Sequence, residues 1–130
     1  MTTQEEKQLL LQDLCARLPY GVRVEHTSGF RGTLHNITVY STYNDDDTIK
    51  DYICYTDFFG DESCKIEFFK PYLFPLSSMT EEQIKEVNKL SGLRVFPNVS
   101  LINWYLKNHI DIYGLIHMGL ALDATGLNIY

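Results

Sequence analysis

The sequence predicts an α+β fold in one domain of 130 residues. The expected parts are an N-terminal helix at 1–19, a small, strongly bent antiparallel sheet of four to five strands with a proline strap at 20–76, and two to three helices at 77–130. Apolar residues recur at helical spacing in the first part and at the two-residue spacing of strands in the second. Capping-box sequences mark helix starts in the first and third parts. A chain of this length buries roughly two thirds of its unfolded surface, which is enough for one core.

The first helix begins at a capping box, in which Thr3 and Glu6 each bind the other's backbone amide. Pro19 is expected to end this helix because proline cannot donate a backbone hydrogen bond. One stripe at helical spacing is expected to face the core, and it consists of Leu11, Leu14, Cys15 and Leu18.

An antiparallel meander is predicted from residue 21 to residue 69, because short runs of alternating or β-branched residues are separated there by turn residues. Pro71 and Pro75 then forbid a helix and remove ladder donors, so residues 70–76 are expected to form an extended strap across the sheet. The predicted strand runs are residues 22–25, 33–40, 49–56 and 64–69.

The last part of the chain is predicted to be helical. Thr80 and Gln83 form a second capping box, and Gly92 is placed to end the helix that follows. Further helices are expected at residues 100–107, with Leu101, Trp104 and Tyr105 as anchors, and at residues 111–118.

The net charge of −6 is confined to one stretch of the chain. Residues 45–67 hold eight of the 17 acidic residues and only two lysines, whereas the rest of the chain is neutral. A localised acidic face favours encounter with a cationic partner. The same charge argues against direct nucleic-acid binding, which depends on basic residues that neutralise phosphates. We therefore expect a protein partner with a basic surface.

Aromatic residues stand beside the acidic ones in two predicted connectors, residues 41–48 and 57–63, and this combination is typical of protein interfaces. We expect the two connectors to form adjacent hairpin tips. A solvated surface that only aids solubility is the alternative. A calcium loop is excluded, because Lys50 and Thr56 occupy the positions that require glycine and glutamate. The predicted partner-binding residues are Tyr43, Asp45, Asp46, Asp47, Phe58, Phe59, Asp61 and Glu62.

The histidines and cysteines lack the spacing of known catalytic or metal sites, so no catalytic residue, metal or cofactor is predicted. Cys54 and Cys64 are expected to lie on strands and to face the interior of the protein, where burial makes a thiol unreactive. The alternative is a small hydrolase or transferase with a cryptic pocket between the sheet and the helices. Surface or packing roles are expected for the histidines, which are His26, His35, His109 and His117.

The chain begins with polar, acidic residues, unlike a secretory signal, and its longest apolar stretch, residues 114–122, is too short to cross a bilayer. A cytoplasmic protein with no membrane contact is therefore predicted. An exposed edge at the third strand or the strap would invite pairing between chains, so a homodimer is compatible with the sequence.

Three stretches, LCARLPYGV, KPYLFPLSSMTEEQ and WYLKNHIDIYGLIHMGLAL, resemble a family of small proteins from gut-bacterial genomes and prophages. The resemblance covers nearly the whole chain but implies no activity. The stretches GVRV and RGTLHNI are also similar to small SH3-like barrels, and a fold does not by itself determine function.

These observations predict a non-catalytic interaction module, in keeping with an accessory protein of a phage or mobile element, whose acidic face binds a basic partner. An acidic mimic of nucleic acid is a further alternative. It would require carboxylates spaced like phosphates over an extended surface, whereas the acidic residues here are concentrated in one stretch.

Overall fold

The computed structural model describes residues 3–43, 48–56, 64–92 and 98–130. It confirms the predicted α+β class: an N-terminal helix, strands in mixed pairing and two further helices. The elements are α1 (Gln4–Arg17), β1 (Arg23–His26), β2 (Arg31–Tyr43), β3 (Thr48–Thr56), β4 (Cys64–Lys65), β5 (Phe69–Leu73), α2 (Glu81–Ser91), α3 (Val99–Lys107) and β6 (Leu122–Asp123).

The chain packs as two compact units, and each is described by itself. Unit 1 is Met1–Pro71 together with Tyr130, and unit 2 is Tyr72–Ile129. The boundary falls inside β5, so the first residues of this strand belong to unit 1 and its last two to unit 2. A single domain stays a prediction.

Helix α1 begins as predicted. The Thr3 hydroxyl accepts a hydrogen bond from the Glu6 amide at 3.1 Å, and the Thr3 amide donates to the Glu6 carboxylate at 3.3 Å. At the other end, a single 3₁₀ turn, Leu18–Tyr20, contains Pro19 and leads to Gly21. The φ angle of 68° at Gly21 lies in the left-handed region, which glycine adopts without strain.

The predicted core stripe of α1 is wrong, because only Leu14 of its four members is buried. The Arg17 Nε donates to both carboxylate oxygens of Asp13 at 2.9 Å, and both side chains are fully buried. This ion pair allows two charged residues to occupy the core face, one helical turn apart. The buried residues of α1 are Leu10, Asp13, Leu14 and Arg17.

The strands of unit 1 all pair antiparallel. β1 lies between β2 and β5, and β3 lies between β2 and β4. The first residues of β2 pair with β1 and its later residues pair with β3, with a register shift between Leu34 and Asn36. Together with α1, the sheet contributes the core of unit 1, whose buried apolar residues include Val22, Val24, Leu34, Cys54, Ile66 and Phe69.

The predicted fourth strand, residues 64–69, is interrupted. β4 ends at Lys65, a 3₁₀ turn occupies Ile66–Phe68, and β5 begins at Phe69. The predicted strap is extended, but part of it is β5, in which Pro71 lies opposite Val24 of β1. A proline is tolerated here because only alternate residues of an antiparallel strand exchange hydrogen bonds with a given neighbour.

In unit 2, the end of β5 pairs in parallel with β6. The predicted start of α2 is confirmed, because Thr80 and Gln83 form both capping-box hydrogen bonds, and so is its end at Gly92. α3 is also confirmed, although its buried residue is Leu106 instead of the three predicted anchors. Other buried residues of unit 2 are Tyr72, Leu73, Ile110, Leu115, Leu120, Ala121 and Ala124.

The helix predicted at residues 111–118 is wrong, since the chain forms turns there. The buried Asp111 carboxylate accepts hydrogen bonds from the amides of Leu115 at 2.8 Å and Ile116 at 2.9 Å. An aspartate that binds nearby backbone amides favours a turn over a continued helix.

Tyr130 belongs to unit 1, where its hydroxyl accepts a hydrogen bond at 2.9 Å from the amide of Arg23, the first residue of β1. Burial of the hydroxyl raises the pKa of Tyr130 to about 12. The Arg23 hydrogen bond and the positive charge of Arg17 oppose this shift without cancelling it.

We expect loss of one partner of the buried ion pair to be costly. Asp13→Asn leaves Arg17 buried without a full counter-charge, so the free energy of unfolding should fall by about 3–5 kcal/mol. The double variant Asp13→Leu with Arg17→Met should be neutral or stabilising, and Gln12→Ala, an exposed position of the same helix, is the control. Urea denaturation followed by circular dichroism measures these values. Equal losses in the single and double variants would contradict the prediction.

Tyr130 should make stability depend on pH in the alkaline range. Its pKa in the folded state, about 12, lies above the ordinary value of 10.0. The stabilisation that the neutral hydroxyl gives the folded state is therefore complete below pH 10 and is lost as the pH rises from 10 to 12. Because the ring is 44% exposed, we expect the loss to stay below about 2 kcal/mol. The measurement is the free energy of unfolding of the wild type and of Tyr130→Phe as a function of pH. From pH 10 to pH 12 the wild-type value should fall more than that of Tyr130→Phe, which lacks the ionisable hydroxyl. Parallel pH profiles of the two proteins would refute the assignment.

Candidate functional site

β2 and β3 form a two-stranded ribbon on one side of the sheet. Residues 39–43 of β2 pair with residues 48–52 of β3, and in the described part of the chain neither stretch pairs with another strand. The five pairs give the ribbon a length of roughly 16 Å. Val39, the first ribbon residue of β2, is 54% exposed, so the ribbon presents apolar surface at this position.

Of the eight predicted partner-binding residues, Tyr43 has a described backbone. It ends β2 and pairs with Thr48 at the end of the ribbon. The other seven predicted residues lie outside the described residues, and they are Asp45, Asp46, Asp47, Phe58, Phe59, Asp61 and Glu62.

The expected arrangement of two adjacent acidic tips does not agree with the direction of β3. Residues 44–47 join β3 at Thr48, whereas residues 57–63 leave it after Thr56. Nine extended residues place these two attachment points roughly 26 Å apart. The acidic segments are therefore attached at opposite ends of one strand, and their own residues lie outside the described ranges.

Exposed aromatic rings lie at the end of the sheet where β3 finishes. β2 starts at the turn that follows β1, and β3 runs antiparallel to β2, so Thr56 lies toward that turn. Phe30 and Phe68 are 48% and 44% exposed. Backbone hydrogen bonds of 2.8 Å and 3.0 Å fix the carbonyls of Phe30 and Phe68 to the amides of His26 and Thr27.

His26 contributes its imidazole to this aromatic end. Its ring meets Phe69 edge-on, with ring centres 5.1 Å apart, and Phe68 at 6.1 Å. This cluster is not evident from the sequence, because Phe30 and Phe68 are more than 35 positions apart and neither lies in a recognisable motif. The one sequence signal for this cluster is Phe30, which directly follows the turn glycine Gly29.

Within the described residues, the side chains of His26 and Ser28 place a possible base next to a possible nucleophile. The His26 Nδ1 lies 2.7 Å from the Ser28 hydroxyl and accepts a hydrogen bond from the Ser28 amide at 3.1 Å. Because the amide already occupies the Nδ1 lone pair, this arrangement fastens the turn between β1 and β2. A nucleophilic serine would need that lone pair for its own proton.

The remaining candidate side chains are spread over both units. Cys54 is buried, as predicted, and Cys15 is exposed on α1, where partial burial still raises the pKa of its thiol. His109 is buried in unit 2, whereas His35 and His117 are exposed. Among the residues that the structure describes, no group of three or more His, Cys, Asp or Glu side chains is placed to hold a metal ion.

A shallow groove of about 710 Å³ follows the outer side of α1. Leu11 and Cys15, which were expected in the core, line it together with Leu9 and several glutamines. Its described lining contains no histidine or tyrosine, so it does not bring together the groups of an acid–base site.

Comparisons of the chain with protein-family models, curated proteins and solved structures give no match. The resemblance to a family of prophage-associated proteins therefore stays a prediction. None of the helices in the described ranges has the length and hydropathy needed to cross a bilayer.

Ser28→Ala tests whether the His26–Ser28 pair has a structural or a chemical role. We expect the variant to lose roughly 0.5–1.5 kcal/mol of unfolding free energy, because one local hydrogen bond is removed. Its rate of p-nitrophenyl acetate hydrolysis should equal that of the wild type. A rate that falls in both Ser28→Ala and His26→Gln, with folding retained, would instead identify a catalytic pair.

Proposed function

We propose that the protein is a non-catalytic interaction module that binds a basic protein surface through the acidic residues of the stretch 45–67. The observation that carries this proposal is the position of the net charge. The net charge of −6 falls entirely in this stretch, which contains β3, and residues 48–52 of β3 belong to the two-stranded ribbon. Carboxylates at such a site attract a cationic partner and orient its approach.

The proposed binding residues divide into two groups, which we name by the end of β3 to which they are joined. The ribbon group is Tyr43, Asp45, Asp46 and Asp47, and the turn group is Phe58, Phe59, Asp61 and Glu62. Chain connectivity limits how far each group can lie from its end of β3, because consecutive Cα atoms are about 3.8 Å apart. This separation supports two contact regions, each with carboxylates and rings.

Exposed rings on described residues support the turn group in particular. Phe30 and Phe68 lie at the end of the sheet from which residues 57–63 depart. Aromatic rings that lose water on binding supply much of the energy of protein interfaces, while surrounding charges set orientation. The turn group therefore has the more complete interface chemistry, and the ribbon group has the higher density of charge.

The proposal includes the SH3-like arrangement predicted for the sheet. Its support is the strand order β4-β3-β2-β1-β5, with a 3₁₀ turn between β4 and β5 and a long β2 shared by two neighbours. A cytoplasmic location and an accessory role in a prophage or mobile element are further parts of the proposal. The accessory role rests on the sequence resemblance, and the location rests on the longest apolar stretch, residues 114–122, which is too short to cross a bilayer.

Charge-neutralised variants test the proposal. One variant carries D45N, D46N and D47N, a second carries D61N and E62Q, and the control E81Q, E82Q and E86Q removes as many charges from α2 as the first variant removes. A partner captured from host lysate and identified by mass is purified and titrated with each protein. We expect at least one binding variant to weaken the affinity tenfold or more and to reduce its salt dependence, with the control unchanged.

An equal effect of the control and of both binding variants would show that only net charge matters. That result would contradict the proposed site. A partner whose affinity is unchanged in every variant would contradict it as well.

A further inference from the structure

The outer edge of β3 is only partly used. β4 pairs with Ile53 and Cys54 of β3, and after Lys65 the chain turns away in the 3₁₀ turn Ile66–Phe68. In the part of the chain that the structure describes, residues 48–52 have β2 on one side and no strand on the other. Among the described residues, this extended stretch of five continues the line of β4 on β3 and pairs with no strand on that side.

Such an edge is a template for another strand. Backbone amides and carbonyls at an edge pair readily with an extended chain, and natural proteins usually shorten or cover their edges for this reason. A two-stranded ribbon is also only marginally stable in water, and a third strand would stabilise it. β4 shows that this side of β3 accepts an antiparallel strand.

The charge around this edge selects its occupant. Asp51 lies within residues 48–52, and Asp45, Asp46 and Asp47 directly precede them in the chain. Lys50 is the one basic residue among positions 45–57. An extended segment with lysine or arginine side chains would complement this charge, whereas an acidic segment would be repelled.

We propose that an extended, basic segment of a partner protein adds as a strand to the outer edge of β3 at residues 48–52, in line with β4. The inference rests on the proposed function and deepens it, because it states how the partner binds. Main-chain hydrogen bonds supply the affinity in this mode, and side chains at alternate positions supply the specificity.

The test uses a defined probe, a nine-residue peptide of alternating lysine and valine, at low salt. We expect it to bind, and to slow amide hydrogen exchange at alternate residues among 48–52, because only alternate amides point to the outer side. Two control peptides have the same length. One has its alternate amides N-methylated, and the other has glutamate in place of lysine; both should bind at least tenfold more weakly.

Other outcomes separate this inference from the proposed function. If the methylated and unmethylated peptides bind equally and exchange at residues 48–52 is unchanged, strand addition is overturned while recognition by charge stands. If the lysine peptide does not bind, strand addition by basic segments is overturned, and the lysate partner decides the proposed function. A third outcome is that, without peptide, these amides exchange more slowly as the protein concentration rises. A second copy of the chain then occupies the edge, and the inference is also overturned.

Proline variants give an independent check on the protein side. Neighbouring residues of β3 direct their amides to opposite sides, so one of Lys50→Pro and Asp51→Pro removes an outward amide without breaking the pairing with β2. The variant that keeps the wild-type circular dichroism should lose peptide binding at least tenfold. Undiminished binding by that variant would overturn strand addition.

Discussion

The length of β2 is the constraint on which the rest of unit 1 depends. It has 13 residues, whereas β1 has four, so β1 covers only the beginning of β2. Among the described residues, the later part of β2 pairs only with β3. One end of the strand, which includes the buried Leu34, is thereby held next to β1, and the other end extends as a ribbon. The same strand links a packed region to a region suited for contact with other molecules.

The buried pair of Asp13 and Arg17 shows why the core was harder to predict than the elements. Capping boxes and turn residues act within a few positions, so the starts of α1 and α2 were predicted correctly from local sequence. Whether a charged residue is buried depends instead on a charged partner and on packing with residues distant in sequence. A pattern that treats every charge as exposed assigns the wrong face to α1, because Asp13 and Arg17 belong to its buried side.

The contrast between local signals and contacts of distant residues also explains which features of the candidate site the sequence predicts. Composition alone located the acidic stretch, and alternation located β3 within one residue of its start. The relation between the two acidic segments could not be read from composition, because it depends on strand direction, which places their attachment points, Thr48 and Thr56, at opposite ends of β3. The aromatic end required the register of β1 with β5, which brings His26 beside Phe69. No local pattern in the sequence contains that register.

Charge and an open strand edge meet different requirements of recognition. Long-range attraction to carboxylates raises the rate of encounter, but it is screened by salt and discriminates poorly between basic partners. Backbone pairing along an edge acts only at contact, and it requires an extended segment with free amides and carbonyls. A strand that carries both features would attract many basic chains and retain those that become extended. Because the edge is five residues long, a short segment is sufficient to occupy it, and selectivity between such segments would then depend on the side chains that flank the edge.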